Sequence, residues 1–424
     1  MTQHILCGFG FGAIQGGLFV KEAYSSAHFS RIVVSEIDAA LVDAVKANRG
    51  CYYVNVAGKN GIDRVKVENI EMLNPNVPND KNILLDVMTQ ATEIVTSLPS
   101  VSFFETGGSD SVAAIIADGL KHSTAPATII YTAENHNHAA EILEEAVRKR
   151  AGRPAQKNVQ FLNTVIGKMS QVVTDPDEIR QRGLSPIAPA ISRAFLVEEF
   201  NQILVTRTTI DGFRPGIEVF LEKDDLLPFE EAKLYGHNAI HALLGFLAAM
   251  KGYTKMTQLK DDKAIMDIAR QAFLNESGAA LIKKYAHLHD DLFTQAGYRN
   301  FADDLLERMT NPYLADTVAR TCRDVVRKLS INDRIFGTMQ LAMVQGIEPK
   351  NMALGAMAGI ALLGEKADEY NLPVNLRFAD WRKLSASQIE QIICWVWKGK
   401  TCPCEKQMIG LTKAAKQQLH TIIS

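Results

Sequence analysis

Ile5–Leu6–Cys7 runs directly into Gly8–Phe9–Gly10–Phe11–Gly12–Ala13–Ile14–Gln15–Gly16–Gly17. An apolar run, a glycine cluster and a helical pattern, in that order, predict a strand, a tight turn and a helix N-terminus. Glycines there permit the turn and let backbone N–H groups approach a pyrophosphate. Two registers fit: Gly8 and Gly10 with Ala13 third, or Gly10 and Gly12 with Gln15 third. The next strand-like run, Arg31–Ser35, leads to Glu36, 24 residues after Gly12. A ribose-binding acid is expected ~20 residues on. A carboxylate there accepts from both ribose hydroxyls and repels a 2′-phosphate, which favours NAD over NADP. Gly10, Gly12, Ala13, Ile14 and Glu36 are therefore the expected cofactor contacts. The alternative is a structural glycine turn followed by a solvated glutamate.

The pattern around this stretch sets the fold class. Strand-like runs at His4–Cys7, Arg31–Ser35, Glu93–Ser97, Ala127–Thr132 and Val159–Asn163 alternate with helical patterns at Ala39–Arg49, Ser111–His122 and His138–Arg150. Such alternation predicts a doubly wound, mostly parallel α/β sheet of Rossmann type. Thr96, at the end of the Glu93–Ser97 run, is where a fourth strand would meet the cofactor; an ordinary strand-to-loop turn reads the same way. Val54, Val56, Val65 and Val67 alternate in a strand-rich insert over Cys51–Asn69. From Pro228 on the pattern is helical: Glu230–Lys251, Asp262–Tyr285, Phe301–Met309, Tyr313–Asp324, Asp333–Gln345 and Met352–Leu363. The expected division is a nucleotide-binding domain over 1–222 and a mainly α-helical substrate domain over 223–424, with the tail 370–424 unplaced.

Composition narrows the function classes. The chain has 424 residues, with 46 basic against 48 acidic side chains. That balance excludes a globally basic nucleic-acid binder and an acidic disordered tail. No apolar run reaches the ~18 residues that a membrane helix needs. The start of the chain lacks the charged-then-apolar order of a signal peptide. Six scattered cysteines do not make a disulfide framework. The expectation is a soluble, cytoplasmic protein that binds neither nucleic acid nor membrane. Trp381, Trp395, Trp397, Cys394, Cys402 and Cys404 fall in the tail; a packed tail explains them better than zinc, since no paired C-x-x-C and no fourth ligand is there.

The segment Pro228–Phe229–Glu230–Glu231–Ala232–Lys233–Leu234–Tyr235–Gly236–His237–Asn238–Ala239–Ile240–His241 carries the chemistry. At about 100° per residue, Glu230 falls about 60° from Lys233, His241 about 80° and Asn238 about 140°. Four polar groups thus share one side of a helix that continues into an apolar core. Burial and the opening turns of the helix would both disfavour the ammonium form of Lys233. A neutral amine can take a proton from an alcohol. Asn238 can donate to the oxygen that becomes an alkoxide. Helical geometry alone is equally served by a surface Glu230–Lys233 pair with a capped His241.

Lys-x₄-Asn-x₂-His on a helix, downstream of such a nucleotide fold, resembles the signature of the polyol-specific long-chain dehydrogenases. Ala133–Glu134–Asn135 resembles the family's short motif after the fifth strand. Glu276–Ser277–Gly278, Leu281–Tyr285, Asn311–Val318 and Arg327–Arg334 resemble its C-terminal domain, and chain length leans toward the branch acting on mannitol 1-phosphate. The resemblance covers roughly 4–364 and implies an NAD-dependent, metal-independent enzyme. It makes Lys233 the general base in polyol oxidation and Asn238 and Asn163 an oxyanion hole. His241 would orient substrate hydroxyls, Glu230 would pass the proton to water, and Asn135 would touch the cofactor. Where the family usually reads Val-Asp-Arg, this chain has Val165–Ile166–Gly167–Lys168.

The reading is therefore an NAD-dependent dehydrogenase interconverting a sugar alcohol, with mannitol 1-phosphate foremost, and its ketose, as monomer or homodimer. Lys168, Lys283, Lys284 and Arg334 are the candidate phosphate cations, Lys168 and Arg334 foremost. The alternatives are an unphosphorylated polyol or hexuronate dehydrogenase of the same family, and a non-catalytic NAD-binding sensor.

Overall fold

The computed structural model describes residues 4–152 and 157–423. The chain divides into two compact units, Met1–Leu227 and Pro228–Ser424. The boundary lies five residues past the expected one, in the first turn of the lysine helix, which starts at Leu227.

Among the described residues of the first unit twelve strands form. They are β1 (His4–Phe9), β2 (Phe29–Ser35), β3 (Tyr52–Ala57), β4 (Ile62–Val67), β5 (Ile70–Leu73), β6 (Glu93–Thr96), β7 (Thr128–Thr132), β8 (Val159–Ile166), β9 (Ser170–Val173), β10 (Ala194–Glu198), β11 (Ile203–Thr206) and β12 (Phe220–Lys223). The main sheet runs β12-β11-β8-β7-β6-β1-β2-β5. Six neighbouring strands, β5 to β8 across that order, are parallel, and β11 is antiparallel to β8. The strand order reverses between β1 and β6, and the crevice beyond their carboxyl ends is where such sheets bind dinucleotides. The expected α/β class, with helices following, is the class observed.

Alternation along each strand feeds two cores. Cys7, Phe9, Val33, Ile94 and Ile130 pack with the helices Pro78–Gln90, Val112–Lys121 and Ala139–Ala151. Leu6, Val34, Val95, Ile129 and Tyr131 face the other way, toward the helix Ala39–Ala47 and a second sheet. That sheet runs β4-β3-β10-β9. The expected strand-rich insert is its β3–β4 hairpin; its other half comes from about 140 residues later, with Val54 beside Phe195.

The second unit is helical. Its long apolar helix Lys350–Glu365 packs against Ala239–Met250 and against Glu405–Ile423 of the tail. The tail is thus part of the core: Met408, Ile409, Ala415 and Leu419 are buried, and Trp397 stacks edge-on against Phe336 with ring centroids 4.9 Å apart. Tyr313–Asp324, expected as a helix, is mostly turn. Only Val318–Thr321 is helical, between left-handed residues Ala315 and Asp324. Among the described residues no helix is long and apolar enough to cross a membrane, and no group of three or more His, Cys, Asp or Glu could hold a metal ion.

Candidate active site

In the first unit the glycine stretch is a strand, a turn and a helix, as the spacing predicts. Gly10 is left-handed (φ +81°), and a Cβ there would lie 2.7 Å from the Ser97 carbonyl oxygen at the end of β6. A Cβ on Gly12 would meet nothing within 4 Å, so the turn opens a space at the helix start. Ala13 is buried and Ile14 half-buried behind that opening. Gly16 and Gly17 let the helix approach the second sheet: Cβ atoms there would lie 2.5 Å from the Phe195 ring and the Val197 side chain. Tyr52 fixes the contact by donating its hydroxyl to Gly16 O at 2.7 Å. Gln15, the third position of one register, is buried over Gly8.

Glu36 stands at the end of β2, half-buried, and accepts from Phe11 N at 2.7 Å and Asp38 N at 2.9 Å. The carboxylate is thereby anchored against the glycine turn, with lone pairs to spare for hydroxyls. Thr96 does not offer its hydroxyl: buried, it donates to Glu134 Oε2 at 2.9 Å, and Glu134 Oε1 accepts from Leu98 N. Glu134 is the residue missed here. It ties the ends of β6 and β7 together, and burial raises its carboxyl above the usual range. The adjacent Asn135 is exposed.

Asn163, on β8, accepts at Oδ1 from Ala140 N (2.9 Å) and donates from Nδ2 to Glu141 (2.8 Å). An amide nitrogen carries two hydrogens, so one donor remains. Lys168 is not a substrate cation by this geometry. It is buried, and its ammonium donates to the carbonyls of Glu198 and Phe200, which fix the chain after β10.

In the second unit, the lysine helix departs from the α-geometry assumed above. Leu227–Glu231 and Ala239–Met250 are α-helical, but Ala232–Asn238 between them widens to π geometry. Hydrogen bonding from i to i+5 places residues five apart one turn above the other. Lys233 and Asn238 are five apart, so they share a face instead of diverging by about 140° as α geometry would have it. A second widened turn, Ala272–Gly278, packs against the first. The Tyr235 carbonyl accepts from Ser277 Oγ (2.7 Å) and Thr338 Oγ1 (3.3 Å). Tyr298 wedges between the two turns; Cβ atoms on Gly236 and Gly278 would lie 2.7 and 2.5 Å from it. The Glu-Ser-Gly motif is thereby explained: Ser277 catches a carbonyl, Gly278 makes room, and Glu276 accepts from the N–H groups of Asn351 and Met352 at the start of Lys350–Glu365.

The Lys233 amine is shielded by protein and makes no hydrogen bond among the described residues. Burial and the neighbouring Arg334 guanidinium push it down to about 8, with Glu230 acting the other way. The Asn238 amide is likewise without a partner among the described residues. His241 Nε2 lies 2.9 Å from Asp316 Oδ2 and 3.3 Å from Thr321 Oγ1. Asp316 is buried; burial opposes its ionisation, but the His241 bond and the Arg320 charge hold its carboxyl below the ordinary range. With Nε2 donating to that carboxylate, Nδ1 is left as the acceptor.

Asn238 and His241 line a cavity of about 320 Å³ with Ala242, Arg320, Thr321, Arg323, Asp324, Arg327, Lys328 and Arg334. Five cations face one carboxylate. Of the expected phosphate cations only Arg334 is among them. Lys283 donates to Gln345 O, and Lys284 pairs with Glu231 at 2.7 Å. The four cations that sequence reasoning missed lie in the segment expected as a helix and just beyond it. Lys328 is buried, its ammonium donating to Thr321 O; burial and Arg334 push it down to about 8.

Comparison with known proteins agrees with this architecture. Residues 225–392 match the mannitol dehydrogenase C-terminal domain. A mannitol-1-phosphate 5-dehydrogenase of Buchnera aphidicola subsp. Acyrthosiphon pisum (strain APS) is 29% identical over 356 residues, 82% of this chain and 84% of that protein. Among solved structures, the Pseudomonas fluorescens mannitol 2-dehydrogenase ternary complex with NAD and D-mannitol superposes with a TM-score of 0.68 at 15% identity, covering 100% of this chain and 94% of that one. A D-sorbitol dehydrogenase in substrate-free form gives a TM-score of 0.76 at 15% identity, with 99% and 94% covered.

Proposed function

We propose, from the premise that this chain belongs with the polyol-specific long-chain dehydrogenases, that it is an NAD-dependent oxidoreductase interconverting a sugar alcohol and its ketose. Mannitol 1-phosphate and fructose 6-phosphate are the pair its cavity suits best. The observation that carries this reading is an unpaired, depressed-pKa amine at Lys233, one widened turn from the unpaired amide of Asn238. The residues of the first unit suit a dinucleotide. Gly10 and Gly12 leave the helix start open, and Glu36 presents an anchored carboxylate that accepts hydroxyls and repels a 2′-phosphate. When bound, the dinucleotide supplies the acceptor for the hydride of the carbinol carbon.

The chain's own groups do the rest. The neutral Lys233 amine takes the hydroxyl proton during oxidation, and its ammonium returns it during ketone reduction. Asn238 Nδ2 holds the oxygen as negative charge develops. His241, fixed by Asp316, accepts at Nδ1 from a neighbouring substrate hydroxyl. Glu230, whose charge acts on Lys233, relays the proton to water. Lysine and amide donors stabilise charge as a Lewis acid would, so no step requires a metal. The cationic wall takes the phosphate.

An NAD-coupled absorbance screen over phosphorylated and free C5–C6 polyols tests the reading. Mannitol 1-phosphate is expected to give the highest kcat/KM. Better turnover of a free polyol or a hexuronate removes the phosphate assignment, and NADH binding without turnover of any substrate leaves a sensor.

The proton relay predicts a pH profile. Below about pH 8 the Lys233 ammonium is the main form, so polyol oxidation rises with pH and levels off above that value. Arg334→Gln removes a positive neighbour and moves the midpoint of kcat upward, whereas Glu230→Gln moves it downward. Midpoints that ignore both substitutions would show that another group limits the rate.

A further inference from the structure

A second cavity lies on the far side of the wall formed by Asp324 and Arg327, which line both. It measures about 470 Å³ and is lined further by Val326, Ser330, Ile331, Asn332, Tyr370, Val396, Trp397, Lys398 and Lys400. Four of its lining residues, Val396, Trp397, Lys398 and Lys400, come from the tail past residue 392, where the match to the family domain ends. Lys398 and Lys400 are exposed and have no ion-pair partner among the described residues. Among the described residues the Arg327 guanidinium pairs only with the solvent-facing Asp324 carboxylate, at 3.3 Å. Trp397 is 1% exposed, and its indole N–H is buried with no hydrogen-bond partner. A buried N–H left unpaired costs about 1–3 kcal/mol, and such groups call for an acceptor. The apolar share of the wall comes from Val326, Ile331, Val396 and the Tyr370 and Trp397 rings.

We propose that this cavity is an effector site for a small phosphomonoester, with Lys398, Lys400 and Arg327 holding the phosphate and the apolar wall taking the organic body. Three cations and one paired carboxylate leave a net positive rim, and an Arg fork with two ammonium groups suits a dianionic phosphate. The volume exceeds what a bare phosphate fills and falls in the range of small-ligand pockets, about 300–1,000 Å³. An acceptor seated there also gives the Trp397 N–H its missing partner. Because Arg327 borders both cavities, occupancy of the tail site draws this cation from the substrate wall. The coupling is negative and reciprocal. This second part rests on the proposed function; binding itself does not.

Two phosphomonoesters, adenosine 5′-monophosphate and fructose 6-phosphate, and inorganic phosphate as the bodiless control, are titrated into the full-length protein by calorimetry and tryptophan fluorescence. Arms with aromatic and sugar bodies distinguish the sources of the phosphate. Wild type is expected to bind at least one ester more tightly than inorganic phosphate. Lys398→Glu/Lys400→Glu weakens that binding about tenfold or more, with the thermal melt and the basal kcat and KM for the polyol substrate unchanged. Trp397→Phe, which keeps an aromatic side chain but removes the N–H together with the five-membered ring, weakens it as well. The same ester raises KM for the phosphorylated polyol in wild type and not in the double variant. A binding isotherm for the esters that neither substitution alters, or inorganic phosphate bound as tightly as the esters, overturns the proposal. If no polyol is turned over, the titrations still decide it.

Discussion

Lys233→Met is expected to lower turnover by about 10²–10⁴-fold, the span that general acid–base groups contribute, while leaving NADH affinity unchanged. The same substitution should make the fold more stable, and the two effects have one origin. In the unfolded chain the amine titrates near 10.5; in the native unit burial and Arg334 hold it at about 8. The charged form is the one disfavoured by folding, so the penalty is fully present below pH 8. It shrinks between 8 and 10.5 and is gone above. At 1.36 kcal/mol per unit, removing the amine at pH 7 returns up to about 3 kcal/mol. Urea unfolding of both proteins at pH 7 and at pH 10.5 measures it: the variant should lead at the lower pH and lose most of that lead at the higher. A variant that is inactive yet no more stable at pH 7 would mean that the lysine carries its proton freely in the native state.

The second large effect concerns the cationic wall. Arg323→Gln is expected to lower kcat/KM for mannitol 1-phosphate about 10–100-fold, the worth of one charge-assisted hydrogen bond of about 1.5–3 kcal/mol. Free mannitol should change by less than about twofold. Arg323 is the informative position because it is exposed and contacts only the Arg320 carbonyl, at 3.4 Å, among the described residues. Arg320 is a poorer probe: it also pairs with Asp316, which orients His241, so its loss blurs binding with positioning. Equal losses on both substrates would show that Arg323 serves the fold and that the phosphate sits elsewhere.

How far the sequence carried depends on whether the signal was local. β1, the glycine turn, β2 and Glu36 lie within 33 residues, from His4 to Glu36, and their order and spacing were readable because each step is set by its neighbours. The pairing of β3 with β10 was not, since Val54 meets Phe195 across 140 intervening positions that no local period encodes. The lysine helix was legible as a polar face, but the α period spread Asn238 about 140° from Lys233 at the edge of it. The i to i+5 turn is stabilised by Ser277, Thr338 and the room left at Gly236 and Gly278, all tertiary partners. The cations of the Asn238 cavity failed in the same way. Arg320, Arg323, Arg327 and Lys328 converge because the chain reverses at Ala315 and Asp324, two non-glycine residues in the left-handed region. Lys168, Lys283 and Lys284 had the right chemistry, but backbone carbonyls and Glu231 take up their charge.

The widened turn at Ala232–Asn238 amounts to one residue more than a regular helix would hold. Excising that residue would heal the ladder and lengthen the rod, yet it would swing the proposed base around the axis from Asn238 and leave the hydroxyl of Ser277 with nothing to grip. The helix is kept irregular by its neighbours, and the proposed reactivity depends on a defect that local propensity alone would erase.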